Sequence, residues 1–288
     1  MKYLITGATG KLGSKIVDVL LKSIPASELA VSVRNPEKAE ALKAKGVDVR
    51  HGDFDKPETL DEAFKGVERL LIISADGDND TRIRQHANAV EAAERAGVSF
   101  IAYTSLADAT ESQNLMAPPH VETEGAIERT GIPHAFLRNN WYLENELGSI
   151  QGVLAGAPWV TAARDGKVGW ALQEDYAEAA ANVLLADDFE QDIFELSGPL
   201  HTQAELVEAL SEVLGREVPL QEVSLDAYAG VMRGAGVPEG AIPIVVGIQD
   251  SIRNGSLEVE SNDFELVLGR PVTPLRDALS KLVHELES

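Results

Sequence analysis

Thr6-Gly7-Ala8-Thr9-Gly10-Lys11-Leu12-Gly13 is the stretch whose reading decides the fold. It follows an apolar run, Tyr3–Thr6, and opens an amphipathic segment, Lys11–Ser23. The pattern is GxxGxxG rather than the commoner GxGxxG. A glycine triplet alone is weak evidence, and the strand before it and the helix after it give it meaning. Gly7 permits a sharp turn out of the strand, Gly10 removes a side chain where a pyrophosphate must approach, and Gly13 lets the helix pack closely on the sheet. The helix N-terminus then offers free N–H groups and a partial positive charge to an anion. Thr9, Lys11 and Leu12 belong to the same turn and are candidate cofactor contacts with the three glycines. The competing reading is a glycine turn that merely packs.

Outward from this turn, strand-length apolar runs alternate with helix-period segments. Strands are expected at Tyr3–Thr6, Leu29–Val33, Val47–Arg50, Leu70–Ile73, Phe100–Thr104 and Ala135–Leu137. Helices are expected at Lys11–Ser23, Pro36–Ala44, Pro57–Phe64, Thr81–Ala96 and Val121–Thr130. Gly46, Gly66, Gly97 and Gly131 each sit just past a helix, and Pro36 and Pro57 sit at a first helical turn. Alternation with short connections predicts an α/β fold: a Rossmann-type, doubly wound parallel sheet with helices on both faces. After Asn139 the rhythm changes. Gly148 to Gly169 reads as a helix, then irregular or short β structure; Gln173–Leu185, Thr202–Leu214, Leu225–Gly234 and Thr273–Leu286 read as helices and Ile193–Leu196 as a strand. The expected organisation is a cofactor-binding domain over 1–145 and a smaller C-terminal α/β substrate lobe over 146–288, from which elements can return to the main domain.

In this architecture a carboxylate at the end of the second strand holds the ribose 2′-hydroxyl of NAD. Here the strand ends Val33-Arg34-Asn35-Pro36, with a guanidinium and no carboxylate. Arg34 can bind a 2′-phosphate through paired, charge-assisted hydrogen bonds, so the cofactor reads as NADPH; the alternative is a solvent-exposed residue at a helix entry. Lys38 and Lys11 can add charge, or be ordinary solvated surface residues. Asp53, after the third strand, could accept from the adenine amino group with Phe54 beside the ring; the alternative is a loop Asp capping the helix near Pro57.

Composition bounds the rest. The chain has 288 residues, no cysteine, and a formal net charge of −22 from 25 Lys+Arg against 47 Asp+Glu. Disulfides, thiolate metal sites and cysteine nucleophiles are therefore excluded. Such a surface repels nucleic acid and anionic membranes, so neither is an expected partner. Nothing in the sequence approaches the roughly 18 apolar residues of a membrane span, the N-terminus lacks a signal peptide's apolar stretch, and cytoplasmic residence is the expectation. No His/Asp/Glu cluster has metal-ligand spacing, so no metal is expected, and no GxSxG element is present. None of the five tyrosines has Lys four residues later, which disfavours alcohol–ketone chemistry and epimerisation through a Tyr-x-x-x-Lys pair.

GATGKLG, SVRNPEKA, GVERLLIIS, FIAYTSL, HVETEGAIERTGI, LRNNWYLEN and ARDGKVGWALQEDYAEAAA occur in that order. Together they resemble the NmrA-like atypical short-chain dehydrogenase/reductase family, nearest its bacterial NADPH:quinone oxidoreductases of type 2, and the resemblance runs nearly end to end. It implies hydride passed from NADPH directly to a quinone or similar small electrophile, without flavin, and a homodimer as the expected assembly. It implies that Ser74 lies near the nicotinamide ribose, that Tyr103, Thr104 and Ser105 end the fifth strand beside the nicotinamide, and that Asn139, Trp141, Tyr142 and Asn145 line the mouth between the lobes. Tyr142 or Asn139 would donate a hydrogen bond to the product oxygen, with Trp141 and Asn145 on the substrate. Tyr142, Trp141 and Trp159 can equally be packing aromatics, and His86 and His120 read as structural. The family often carries Lys after the Thr-Glu pair of its His-x-x-Thr-Glu segment; here Gly125 follows Glu124. That departure keeps open a second class, the NmrA-type sensors that bind NADP without turnover and regulate a protein partner.

Overall fold

The computed structural model describes residues 2–187 and 191–288. The chain divides into two units, one of residues 1–109, 116–139 and 173–194, the other of 110–115, 140–172 and 195–288.

The first unit is built on a seven-stranded sheet. Its strands are β1 (Tyr3–Thr6), β2 (Leu29–Val33), β3 (Asp48–His51), β4 (Arg69–Ile72), β5 (Phe100–Leu106), β6 (His134–Asn139) and a short strand, Ile193–Leu196, at the edge beyond β6. From the other edge the order is β3-β2-β1-β4-β5-β6, and every pairing within that run is parallel. The chain order reverses at β1 and β4, and that switch point is where open α/β sheets bind ligands.

The helices of this unit are α1 (Lys11–Ser23), α2 (Glu40–Ala44), α3 (Pro57–Ala63), α4 (Asn79–Ala96) and α5 (Ala117–Thr130). In α1, Leu12, Ile16, Val17 and Leu20 form one buried stripe, which stabilises by roughly 1.5–3 kcal/mol per large side chain. Gly46, Gly66, Gly97 and Gly131 all take the left-handed backbone expected of them.

Several boundaries differ from expectation, each for a local reason. α4 starts at Asn79, two residues early, because the Asp78 carboxylate caps it by accepting from Thr81 N at 3.0 Å. α5 starts at Ala117, four residues early, because Pro118 and Pro119 fill a first turn that needs no N–H. The segment Pro36–Ala44 splits into a 3-10 turn, Pro36–Ala39, and α2. β5 and β6 run past their apolar stretches to Leu106 and Asn139, because the polar residues that follow are buried too.

The second unit carries α6 (Leu147–Leu154) and the short strands β7 (Trp141–Tyr142), β8 (Trp159–Thr161), β9 (Lys167–Val168) and β10 (Trp170–Ala171). The chain then returns to the first unit with the helix α7 (Gln173–Leu185), which packs on α1 there, and the edge strand β11 (Ile193–Leu196) follows. β12 (His201–Thr202), α8 (Gln203–Leu214), β13 (Leu220–Glu222), α9 (Leu225–Gly234), α10 (Ile242–Arg253), α11 (Asp263–Leu268) and α12 (Leu275–Glu287) complete the second unit. α8 is opened by a capping box of Thr202 and Glu205. The sequence reading has no helix at α10 or α11. The Ile242–Ile248 run of α10 is β-branched and apolar, and periodicity cannot tell such a run from a strand.

Candidate active site

The glycine turn has the geometry that an anionic dinucleotide requires. Gly7 adopts φ +64°, a left-handed conformation that costs L side chains energy. A Cβ on Gly13 would sit 2.2 Å from the Gly7 carbonyl oxygen, so the helix can approach the turn this closely only with glycine there. α1 has Gly10 as its N-cap, no side-chain cap and no acidic residue in its first turn. Its first N–H groups and partial positive charge are thus presented without a protein anion to neutralise them.

Register carries this edge across to the next strands. Thr6 of β1 pairs with Ser32 of β2, and Val33 of β2 pairs with His51 of β3. Gly7, Arg34 and Gly52 therefore leave the same edge of three adjacent strands. Arg34, Lys38 and Lys11 are all exposed; none forms an ion pair with another described residue. Arg34 adds its charge to the hydrogen bonds from Arg84 and Gln85 that hold Asp55 below the usual carboxylate range. The buried Ser32 hydroxyl has no hydrogen-bond partner among the described residues, and a Cβ on Gly52 would collide with it at 2.0 Å. An orphaned hydroxyl, an uncapped helix and a cation in place of the usual carboxylate fit NADPH.

Asp53 shapes its own loop. Its carboxylate accepts from Asp55 N at 3.1 Å and its N–H donates to Thr59 Oγ1 at 2.9 Å. Phe54 is half-buried and packs against the core that includes Leu60 and Phe64.

The next edge of the site follows β4 and β5. Ser74 is half-buried, and its N–H donates to Thr104 Oγ1 at 2.9 Å. Tyr103 does not end its strand: β5 runs three residues further, and the ring is wholly buried, with its hydroxyl 2.9 Å from His120 Nδ1. Ser105 donates to Glu124 Oε1 at 2.5 Å. The same carboxylate takes two hydrogen bonds from Arg138, Nε at 3.0 Å and a terminal nitrogen at 2.7 Å. All three residues are buried. The geometry is bidentate, the arrangement that lets a buried ion pair offset its desolvation.

His86 and His120 are buried polar groups of α4 and α5. Ala75 N donates to His86 Nε2 at 2.8 Å, and His86 Nδ1 lies 2.8 Å from Thr123 Oγ1. Burial, aided by the Arg82 charge, pushes His86 down to about 4, and the same two causes push His120 well below its usual value.

Asn139 is buried at the end of β6. In the second unit Trp141 is nearly buried, Tyr142 half-buried and Asn145 exposed. The paired strands β7 and β10 place Trp141 beside Trp170, and both indoles donate to Glu146 Oε1 at 3.2 Å. Burial raises the Glu146 carboxyl above its ordinary value, opposed by these two indoles.

Sequence reasoning missed Arg82, Glu124, Arg138 and Glu146. Two signals were present. Arg138 interrupts an apolar strand, and a charge there demands a partner. Arg82, Gln85 and His86 continue, at helical spacing, the stripe that buries Ala89, Val90 and Ala93. Among the described residues there is no cluster of three or more His, Asp or Glu that could hold a metal, and no helix is long and apolar enough to cross a membrane.

The fold and this edge define a dinucleotide-binding reductase scaffold of the atypical short-chain type. The NmrA-like family model matches residues 1–249, and the chain belongs to that family. It is 38% identical to quinone oxidoreductase 2 of Escherichia coli over 97% of this chain and 98% of that protein. The crystal structure of the E. coli NADPH-dependent quinone oxidoreductase with NADPH superposes with a TM-score of 0.93, at 38% identity, over 97% of this chain and 99% of that one. Citrobacter sp. triphenylmethane reductase in complex with NADP(H) gives 0.93 at 41% identity, over 97% and 99% of the two chains. The NAD(P)H azoreductase of Xenophilus azovorans is 28% identical over 82% of both chains.

Proposed function

We propose that the chain is an NADPH-dependent reductase that passes hydride directly, without flavin, to a quinone or a similar small electrophile. The observation that carries this reading is the uncapped Gly7–Gly13 turn at the strand-order switch point, with Arg34 where NAD-binding sheets place a carboxylate. The relatives named above are a quinone oxidoreductase, a triphenylmethane reductase and an azoreductase, and their names have conjugated electron acceptors in common.

NADPH, when bound, supplies the hydride. The turn Gly7–Gly13, with Thr9 and Leu12, would hold the pyrophosphate on the α1 N-terminus, and Arg34, with Lys38 and Lys11, would grip the 2′-phosphate. Asp53 and Phe54 would flank the adenine. Ser74, Thr104 and Ser105 would face the nicotinamide half, and Tyr103 supports that wall from the core. A quinone is already a strong electrophile, so the protein chiefly aligns donor and acceptor and keeps water out. Tyr142, with Asn139, would donate a hydrogen bond to the oxygen that gains charge, and Trp141 and Asn145 would contact the acceptor. The missing Tyr-x-x-x-Lys pair is tolerable for this chemistry. We further propose cytoplasmic action and a homodimer, which light scattering tests.

The decisive assay mixes the purified protein with NADPH and a small benzoquinone and follows the nicotinamide absorbance. Consumption above the uncatalysed rate is expected. Tight NADPH binding with no consumption would replace the reductase by an NADP-binding sensor.

A further inference from the structure

Three consecutive backbone N–H groups after β4 are each taken by a side chain from a different element. Ile73 N donates to Thr6 Oγ1 of β1 at 2.9 Å, Ser74 N to Thr104 Oγ1 of β5 at 2.9 Å, and Ala75 N to His86 Nε2 of α4 at 2.8 Å. The first two acceptors are hydroxyls and accept at any ordinary pH. The third accepts only while the imidazole nitrogen keeps its lone pair.

The neighbours fix the form of that imidazole. Since Nε2 accepts, the ring proton must sit on Nδ1, which donates to Thr123 Oγ1; the Thr123 hydroxyl in turn donates to the Pro119 carbonyl at 2.5 Å. His120 repeats the pattern. Arg82 can only donate, so His120 Nε2 accepts from it at 2.8 Å and Nδ1–H faces the Tyr103 hydroxyl. Arg82, His86, Tyr103, His120 and Thr123 are all buried. Arg82 forms no ion pair among the described residues, and its buried Nε has no partner among them. Leaving a guanidinium buried without a carboxylate is costly, so its presence needs a reason. The ionisable groups around His86 are Arg82 on its own helix, Tyr103 on β5, His120 and Glu124 on α5, and Asp76 in the loop before α4; Glu124 is already neutralised by Arg138.

We propose that His86 is a positioning residue of the cofactor site: it holds the Ala75 amide, and with it the Ser74–Asp76 turn, against the nicotinamide half of the dinucleotide, while its buried place between Thr123 and Arg82 keeps its ring in the one form that can accept. This rests on the reading that Ser74 borders the nicotinamide ribose. The low proton affinity of both histidines agrees with it.

The test compares NADPH with 2′,5′-ADP, which carries the adenine half and its extra phosphate but no nicotinamide, by calorimetry on the full chain. His86→Leu should weaken NADPH roughly tenfold, the order of one lost hydrogen bond to a half-buried backbone donor, and leave 2′,5′-ADP unchanged. Amide hydrogen exchange should rise in the segment holding Ala75 and not in α1. His86→Gln, whose amide oxygen can accept, should recover most of the loss. Unchanged NADPH affinity, parallel losses of both ligands, or a Gln variant no better than Leu would each overturn the inference. A parent protein that binds neither ligand would instead remove the cofactor reading beneath it. Should His86→Leu not fold, Arg82→Gln carries the test. It removes the charge that adds to burial in keeping His86 neutral, so NADPH binding should fall between about pH 8 and about pH 5 by a larger factor than in the parent. A ratio between the two pH values equal to the parent's overturns the proposal.

Discussion

Two polar regions of the first unit are treated in opposite ways. At the ends of β1 and β2, Lys11, Arg34 and Lys38 stand exposed with no ion pair among the described residues, although the chain has 47 carboxylates to 25 cations. Behind β5, Arg138, Glu124, Ser105, His86, Thr123 and His120 are buried and joined by hydrogen bonds. Groups that hold the fold together have found partners within it. Groups left unpaired in so acidic a chain are available to an anionic ligand. The difference sets a hydrogen-bonded interior, which supports the site from behind, against an exposed cationic edge on which the proposed cofactor contacts lie.

The comparison breaks most readily at Arg138. Arg138→Met strands a buried carboxylate, so urea unfolding should report a loss of about 3–5 kcal/mol. Adding Glu124→Met should restore most of it. A loss below about 1 kcal/mol, the level of a surface pair, would mean the buried region is not what holds this unit.

Acid gives the next largest effect. His86 falls from 6.5 to about 4 on folding, so the folded state refuses a proton that the unfolded chain accepts. This contribution is complete above pH 6.5 and is lost as the pH falls from there through about 4, by up to roughly 3 kcal/mol. Burial and the Arg82 charge act on His120 in the same direction. Unfolding midpoints measured across that window should drop steeply, and less so in His86→Gln. A flat profile would show that these histidines are not neutral and buried.

Tyr142→Phe gives the smallest effect. It should slow quinone reduction roughly ten- to hundredfold while NADPH affinity stays at the parent value. Equal rates would make Tyr142 a packing aromatic.

The same contrast explains what could be read in advance. The glycine turn, the Arg34 tip and the strand–helix alternation are local patterns, and the alternation predicts a doubly wound parallel sheet. The buried network joins residues far apart in the chain: Arg82 meets His120 across 38 positions and Asn140 meets Leu257 across 117. Spacing rules do not reach that far. The end of β5 differs from expectation for a related reason. The sequence pattern predicts a strand over Phe100–Thr104, whereas buried polar side chains carry it on to Leu106. In the second unit, α10 was invisible because Ile242–Ile248 has no helical contrast between its faces.

The most direct measurement is a calorimetric titration of the parent protein and Arg34→Glu with NADPH and with NADH. A phosphate gripped by one guanidinium predicts that the parent prefers NADPH. It also predicts that the substitution costs NADPH roughly a hundredfold in affinity and leaves NADH nearly untouched. Equal losses for the two cofactors, or a parent indifferent to both, would contradict the account.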